Sequence, residues 1–271
     1  MNLINRFINI CSVTSLLIFG VFVYAQDSNL SADTIIKKAN LASYYSGNDG
    51  RAEARMKITD NQGRSQIRQF TILRRDEADG GNQDMLVYFS RPSDVKNMVF
   101  RVARHPNAQD DRWLYLPGLD LVKRISAGDK RTSFVGSDFF YEDISGRNPS
   151  EDNHELIPTN DEQYKVKSIP KDLNRVEFSY YLSWINKNTF LPMKVDYYNK
   201  AGKLYRQMKV IKSAVIQEHP VVIKVSIKNL ANGNSTIMQM RGIAFDLGIP
   251  QQIFNERSLR NPPSQWLRGK R

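Results

Sequence analysis

Apolar and polar residues alternate along most of the chain, and this two-residue period predicts long antiparallel strands with one apolar face each. In residues 50–59, Ala52, Ala54, Met56 and Ile58 alternate with charged or polar side chains. The same period recurs, between short polar turns such as DNQG and ANGN, in residues 66–75, 176–184, 193–197, 203–212, 221–230 and 235–245. These patterns predict about ten strands, too many for a flat open sheet. We therefore expect a mainly β protein with a strongly curved sheet or an incomplete barrel.

One strand departs from this pattern. Residues 84–92 (DMLVYFSRP) are apolar on both faces, with Met85, Val87 and Phe89 on one side and Leu86 and Tyr88 on the other. Both faces should therefore be covered, which predicts a central strand packed under a helix.

Two segments have helical patterns. Residues 31–45 (SADTIIKKANLASYY) place four apolar side chains at helical spacing, and Ser31 or Asp33 can cap the helix. Residues 250–271 predict a short helix that ends at Pro262-Pro263, followed by a basic tail that is either solvated or in contact with anionic lipid. A curved sheet of this size has more concave apolar surface than one such helix can cover. Either further elements of the chain cover the rest of this concave surface, or an apolar ligand binds there.

The N-terminus predicts export. Arg6 precedes an apolar run at residues 7–23, and Val23-Tyr24-Ala25 offers small residues before a polar stretch. We interpret residues 1–25 as a signal peptide, with a retained membrane anchor as the alternative. Cleavage would remove Cys11, the only cysteine among the 271 residues. Residues 26–271 are then expected to form a single domain with a short basic tail, without disulfides, in the periplasm of a Gram-negative bacterium.

The charge of the chain favours an anionic partner. The formal net charge is +11, and loss of Arg6 with the signal peptide would leave +10, since residues 1–25 hold no other charged residue. Membrane headgroups or an acidic protein face would suit this excess. Nucleic acid is not expected as a partner of an exported chain that has no nucleic-acid-binding motif.

Residues 133–147 (SFVGSDFFYEDISGR), here called the aromatic segment, combine aromatic and acidic residues. As a hydrolase nucleophile, Ser137 would need the pattern G-x-S-x-G, which is absent. No histidine stands in a catalytic or metal-binding motif, so we expect no catalysis, metal or cofactor. Instead, Ser137 or Asp138 should cap a short helix, with Glu142 at its positive end and Phe140 and Ile144 on one face. Glycines near both ends allow either a mobile lid or a fixed structural plug.

A family resemblance rests on the sequence WLYLP, followed by VKRI and by GSDFFYEDI. With the helix and the many strands, these motifs make the chain similar to the outer-membrane lipoprotein-sorting proteins, the LolA/LolB-like periplasmic carriers. The resemblance implies an incomplete β-barrel, helices that cover its open side, and an apolar cavity for acyl chains. It also implies that Arg91, just before Pro92, corresponds to an arginine that holds the lid. The chain is longer than the classical carriers and carries the aromatic segment in addition, so its cargo is either a lipoprotein or another lipid.

Two functions follow as hypotheses. The first is a monomeric, non-enzymatic carrier that moves lipid toward the outer membrane, with an inner-membrane transporter as a candidate partner. Its predicted lipid-binding residues are Phe89, Arg91, Phe100, Trp113, Tyr115, Phe139, Phe140, Tyr141, Phe178, Tyr180 and Trp184. The second is a basic scaffold with a self-filled core that docks on an envelope transport complex, with Lys123 and Arg124 as contact residues.

Overall fold

Thirteen antiparallel strands form one sheet in the computed structural model, which describes residues 30–159 and 162–267. The described residues from Ser31 onward belong to a single unit. The expected signal peptide and the last four residues of the basic tail lie outside the described residues. Within those ranges, no helix is both long and apolar enough to cross a membrane.

The strands run as two meanders that meet in the middle of the sheet. They are β1 (Asp49–Thr59), β2 (Ser65–Asp76), β3 (Gln83–Arg91), β4 (Val99–Arg104), β5 (Asp111–Leu116), β6 (Leu121–Arg124), β7 (Asp152–Ile157), β8 (Gln163–Pro170), β9 (Phe178–Asn186), β10 (Pro192–Asn199), β11 (Leu204–Ile216), β12 (His219–Asn229) and β13 (Ser235–Phe245). The spatial order is β6-β5-β4-β3-β2-β1-β13-β12-β11-β10-β9-β8-β7. The sheet is therefore open, and its two edges, β6 and β7, are consecutive in the chain.

Thirteen strands exceed the number that the sequence predicted, for a physical reason. Strand β6 has only four residues, and β7 is an edge strand with few apolar side chains. Strand β8 places Ser168 on a buried position, where its hydroxyl contacts Nδ1 of His154 at 2.8 Å. Short or polar strands of this kind lack the alternation on which the prediction rested.

Four α-helices complete the fold of the described residues. They are α1 (Ala32–Tyr44), α2 (Tyr141–Ser145), α3 (Arg257–Arg260) and α4 (Ser264–Leu267). The predicted cap of α1 is confirmed, because the amide of Thr34 donates to Oγ of Ser31 at 3.2 Å. Helix α1 packs against β7, β8 and β12.

Strand β3 is covered on both faces, as the sequence predicted. On its concave side, Met85, Val87 and Phe89 belong to the main hydrophobic core. On the other side, Leu86 packs with Ile249, Phe254 and further residues of the C-terminal segment (residues 246–267).

Buried polar contacts hold the C-terminal segment against the sheet. The Asp49 carboxylate accepts hydrogen bonds from the backbone amides of Leu247, Gly248 and Ile249 at 2.8–2.9 Å. Arg51 donates to the carbonyl oxygens of Trp266 at 3.0 Å and Leu267 at 2.9 Å. The described end of the chain is therefore a packed element and not a solvated tail.

Candidate functional site

A cavity of about 380 Å³ lies on the concave side of the sheet. Its wall comes from α1, from the aromatic segment, and from strands β1–β3 and β9–β13. Most of the lining side chains are apolar, and valines and methionines dominate the strand side: Val210, Val221, Val222, Met208, Met238 and Met240.

The strand register explains this apolar wall. Met208 lies opposite Ile227, and Val225 lies opposite both Val210 and Met238. Residues that are directly opposite in antiparallel strands project to the same face. Each of these strands places its apolar residues on the same face, so β11, β12 and β13 together form a continuous apolar surface. Methionine side chains in such a wall adapt to ligands of varied shape.

Helix α1 faces the cavity with small side chains. Ala39, Ala42 and Ser43 line it, together with the larger side chains of Ile36, Asn40 and Tyr44. Small residues on this face leave a gap between the helix and the sheet, which is the space that the cavity occupies.

Beside the cavity, the aromatic segment covers the concave surface of strands β2–β5. Phe134 is fully buried, and its ring centroid lies 5.4–6.1 Å from those of Phe70, Phe89, Phe100 and Tyr141. The chain must connect β6 to β7 at opposite edges of the sheet, and these contacts show that it crosses the concave face to do so. In this structure the aromatic segment is a packed plug.

The prediction that Ser137 or Asp138 caps the short helix is wrong. Helix α2 begins at Tyr141, so Ser137 and Asp138 lie too early in the chain to cap it. The carboxylate of Asp143 caps it instead, accepting from the Phe140 amide at 2.6 Å. The Ser137 hydroxyl is buried and donates to the Phe134 carbonyl oxygen at 2.7 Å, which places it in a structural turn.

A buried carboxylate ties the aromatic segment to its surroundings. Glu142 of α2 forms ion pairs with Lys130 at 2.9 Å, with Arg147 at 3.0 Å and with Arg131. Burial by itself raises the pKa of Glu142, but these three cations outweigh that effect and lower the pKa to about 2. Glu142 is therefore ionised at neutral pH. Arg147 also contributes to the cavity wall.

A second arginine holds the same segment from the sheet. Arg206 of β11 is buried, forms an ion pair with Asp143 and donates to the Asp138 carbonyl oxygen at 3.1 Å. Its guanidinium also stacks on Phe140 at 4.2 Å and Tyr197 at 5.1 Å. Arg206 was not predicted from the sequence, although an arginine two residues before Met208, on the apolar face of a strand, was a usable signal.

Tyrosines supply part of the polar lining of the cavity, alongside charged residues such as Asp143 and Arg147. The Tyr44 hydroxyl donates to the Asp143 carbonyl oxygen at 3.2 Å, and the Tyr181 hydroxyl donates to Asp152 at 2.8 Å. Burial raises the pKa of Tyr44, Tyr181 and Tyr197 above the usual value for a phenol. These side chains are thus neutral at physiological pH, and the wall that they form is weakly polar.

Among the predicted lipid-binding residues, Phe139 lines the cavity. Phe89, Phe100 and Tyr141 lie in the core that the aromatic segment fills. Phe140 belongs to the aromatic segment itself, and its ring lies 4.2 Å from the guanidinium group of Arg206 and 4.9 Å from that of Arg131.

Three other predicted residues lie away from the cavity. Trp113 and Tyr115 pack on the opposite face of the sheet with the C-terminal segment, because their strand partners Arg101 and Val99 face that way. Arg91 is exposed at the end of β3. The contacts to the aromatic segment that the family resemblance suggested for Arg91 are made by Arg206 and Arg131.

Strand β9 turns a different face to the cavity from the one that the sequence predicted. Tyr181, Ser183 and Ile185 line the cavity, whereas Tyr180 and Trp184 lie on the outer face. Phe178 is buried beside Tyr181 and Tyr197, with ring centroids 5.7 and 5.4 Å away. An irregularity in the pairing of β9 with β10, near Tyr198, reverses the faces between Phe178 and Tyr180.

An open antiparallel sheet that curves around an apolar cavity, with a helix on its concave side, is a LolA-like fold. A DUF1329 family protein from Desulfovibrio piger has a TM-score of 0.75 and 26% identity, over 83% of this chain and 97% of that one. An outer membrane lipoprotein-sorting protein domain from Vibrio parahaemolyticus has a TM-score of 0.76 and 25% identity, over 84% and 98%. A LolA superfamily protein from Nitrosomonas europaea shares the fold, with a TM-score of 0.64 and 16% identity over 84% and 99%.

A family model described as an uncharacterized protein matches residues 81–261, which is more than half of the chain. No curated protein matches. The chain belongs to the family that this model describes, and its structure is similar to those of a DUF1329 protein and a lipoprotein-sorting protein domain, as the motifs in its sequence indicated.

Proposed function

We propose that this protein is a non-enzymatic carrier that binds the acyl chains of a lipoprotein, or of another lipid, in the concave cavity. The proposal depends above all on one observation: the apolar wall of β11–β13 faces a space that the side chains of the protein do not fill. The similarity to a lipoprotein-sorting domain supports the same function.

The dimensions of the cavity suit part of a hydrocarbon chain. Its volume of about 380 Å³ lies at the lower end of the range of small-molecule sites, roughly 300–1,000 Å³. Each methylene buried there contributes about 0.8 kcal/mol. Ten methylenes would therefore contribute about 8 kcal/mol before the cost of association, which is enough for micromolar affinity only if that cost is small. Binding of this strength is compatible with release to an acceptor.

The setting that we propose for this carrier follows from the sequence. Residues 1–25 would direct export, and the carrier would act as a monomer in the periplasm of a Gram-negative bacterium. It would receive its cargo from an inner-membrane transporter. The aromatic segment and α1 would together cover the open side of the sheet.

Lipid carriage can be tested directly on the purified protein. Native mass spectrometry after gentle extraction should show a co-purified lipid, and the delipidated protein should take up a fluorescent fatty acid. A mass without lipid, together with no uptake, would contradict carriage and favour the scaffold hypothesis.

A substitution on α1 localises the binding to the cavity. Ala42 lines the cavity, so Ala42→Trp should place an indole in the ligand space and lower fatty-acid affinity at least tenfold. Lys37 lies on the exposed face of the same helix, so Lys37→Trp is the matched control and should leave the affinity unchanged. Equal affinities for the two variants would show that the lipid binds elsewhere.

A further inference from the structure

We propose that the outer face of strands β8–β12 is a docking surface for an anionic lipid bilayer. This inference concerns the side of the sheet opposite the cavity and is independent of whether the cavity binds lipid.

The strand register gathers lysines on this face. Lys165 lies opposite Trp184, Trp184 opposite Lys194, and Lys194 opposite Lys209, so one row of side chains crosses four strands. Two further rows bring the lysines of this face to seven: Lys165, Lys167, Lys194, Lys209, Lys212, Lys224 and Lys228. Adjacent strands are about 4.8 Å apart, so the lysines cover a broad area and not a single point.

Few acidic residues balance this charge. On the outer face of β7–β12 the carboxylates are Glu155, opposite Lys167, and Asp196. Asp196 forms an ion pair with Lys194 at 2.7 Å and accepts from the side-chain amide of Gln207 at 2.7 Å. Seven lysines against two carboxylates leave the face strongly positive, which complements an anionic surface.

Aromatic side chains lie among these lysines. Lys194 and Lys165 lie 4.1 and 5.2 Å from the centre of the Trp184 ring. Tyr180 stacks on Tyr198 at 4.6 Å, and Lys167 lies 5.1 Å from the Tyr180 ring. All three aromatic residues are partly exposed. Half-exposed tryptophan and tyrosine beside lysine is the combination that favours the interface between headgroups and water in a bilayer.

The choice of lysine favours a bilayer over an acidic protein. The buried ion pairs around the aromatic segment use mainly arginine, whereas the cations of this outer face are all lysines. Arginine forms fixed, two-pronged bonds to a carboxylate, while lysine is a flexible and strongly hydrated point charge. A mobile layer of anionic headgroups needs only such diffuse attraction. This partner also accounts for lysines that are spread over four strands without a pocket between them.

The test is sedimentation of the purified protein with vesicles. We expect binding to vesicles of about 30% phosphatidylglycerol in phosphatidylcholine, no binding to pure phosphatidylcholine, and weaker binding as salt rises from about 50 to about 500 mM. The triple variant Lys167→Glu/Lys209→Glu/Lys228→Glu should lose about 100-fold in partitioning, since three attractive charges become repulsive. Its uptake of fluorescent fatty acid should stay unchanged.

A second triple variant, Lys37→Glu/Lys96→Glu/Lys123→Glu, carries the same change in net charge on other exposed positions. We expect it to retain binding within about threefold of the unchanged protein. Equal losses in the two variants, or no binding of the unchanged protein to phosphatidylglycerol, would overturn the proposal.

A second experiment does not depend on the folding of the first variant. In a Trp113→Phe/Trp266→Phe background, Trp184 is the only tryptophan, and brominated lipid should quench its fluorescence if the outer face docks on the bilayer. Unquenched Trp184 would refute docking through this face.

Discussion

Replacement of Glu142 by glutamine tests how the aromatic segment is held in place. The carboxylate of Glu142 is only 2% exposed and forms ion pairs with Lys130, Arg131 and Arg147. Glutamine keeps the size of the side chain but removes its charge, so three cations would lose their shared buried partner. We expect the free energy of unfolding at neutral pH to fall substantially.

The size of this loss follows from the lowered pKa of Glu142 and from the cost of breaking buried ion pairs in other proteins. The three cations lower the pKa of Glu142 from 4.5 to about 2 against the opposing effect of burial. At 1.36 kcal/mol per pKa unit, this shift corresponds to roughly 3 kcal/mol of stability. Loss of one partner from a buried ion pair costs about 3–5 kcal/mol in other proteins. We therefore expect Glu142→Gln to destabilise the protein by about 3 kcal/mol.

The pH dependence of this loss has a definite sign. Because the folded state has the lower pKa, the contribution of Glu142 is complete above the unfolded-state value near 4.5 and disappears as the pH falls toward 2. The unchanged protein and Glu142→Gln should thus differ at pH 7 and converge at low pH. Urea unfolding followed by circular dichroism measures both quantities.

Glu151 offers a matched control, because it pairs with two of the same cations, Lys130 and Arg147, but its side chain is 36% exposed. Glu151→Gln should cost no more than about 1 kcal/mol. A loss in the free energy of unfolding below about 1 kcal/mol for Glu142→Gln, or a loss that is the same at all pH values, would contradict the role of the buried Glu142 carboxylate.

Two further predictions concern the core and the C-terminal segment. Phe134→Ala should lower the free energy of unfolding by about 3–5 kcal/mol, because it removes the ring at the centre of the aromatic cluster; a loss below about 1 kcal/mol would show that the plug is not a core element. Asp49→Ala leaves three backbone amides of residues 247–249 without their acceptor and should cost about 3 kcal/mol. Limited proteolysis should then cut the C-terminal segment earlier than in the unchanged protein, and an unaltered cleavage rate would contradict the role of Asp49.

The sequence predicted those strands whose alternation is undisturbed. The apolar positions of β1 and both faces of β3 lie where the pattern indicated. In β9, Tyr180 and Trp184 looked like an inner face, yet the bulge near Tyr198 and the lysines across the strand stabilise them on the outside. The position of a bulge and the identity of a cross-strand partner depend on two strands together. A single strand does not encode them.

The aromatic residues of the middle region illustrate a second limit. The sequence predicts that Phe89 and Phe100 contact a ligand, and both side chains do lie on the apolar, concave side of the sheet. What covers them is Phe134, because the chain returns from edge strand β6 to edge strand β7 across their surface. Strand order decides this, and the spacing of apolar residues does not reveal strand order.

On the concave side of the sheet, the aromatic segment packs as a core while the wall of β11–β13 borders the cavity. The cost of an unfilled apolar cavity explains why the protein needs both parts. The wall of the cavity is mostly apolar, and apolar surface that stays in contact with water forgoes about 25 cal/mol of stabilisation per Å². A sheet that is flexible throughout would repack to remove such a space. The plug around Phe134 and the ion pairs of Glu142 fix the curvature of one half, so the wall of β11–β13 can keep its shape in the other. We therefore expect Phe134→Ala and Glu142→Gln to lower the affinity for lipid as well as the stability, although neither residue lines the cavity.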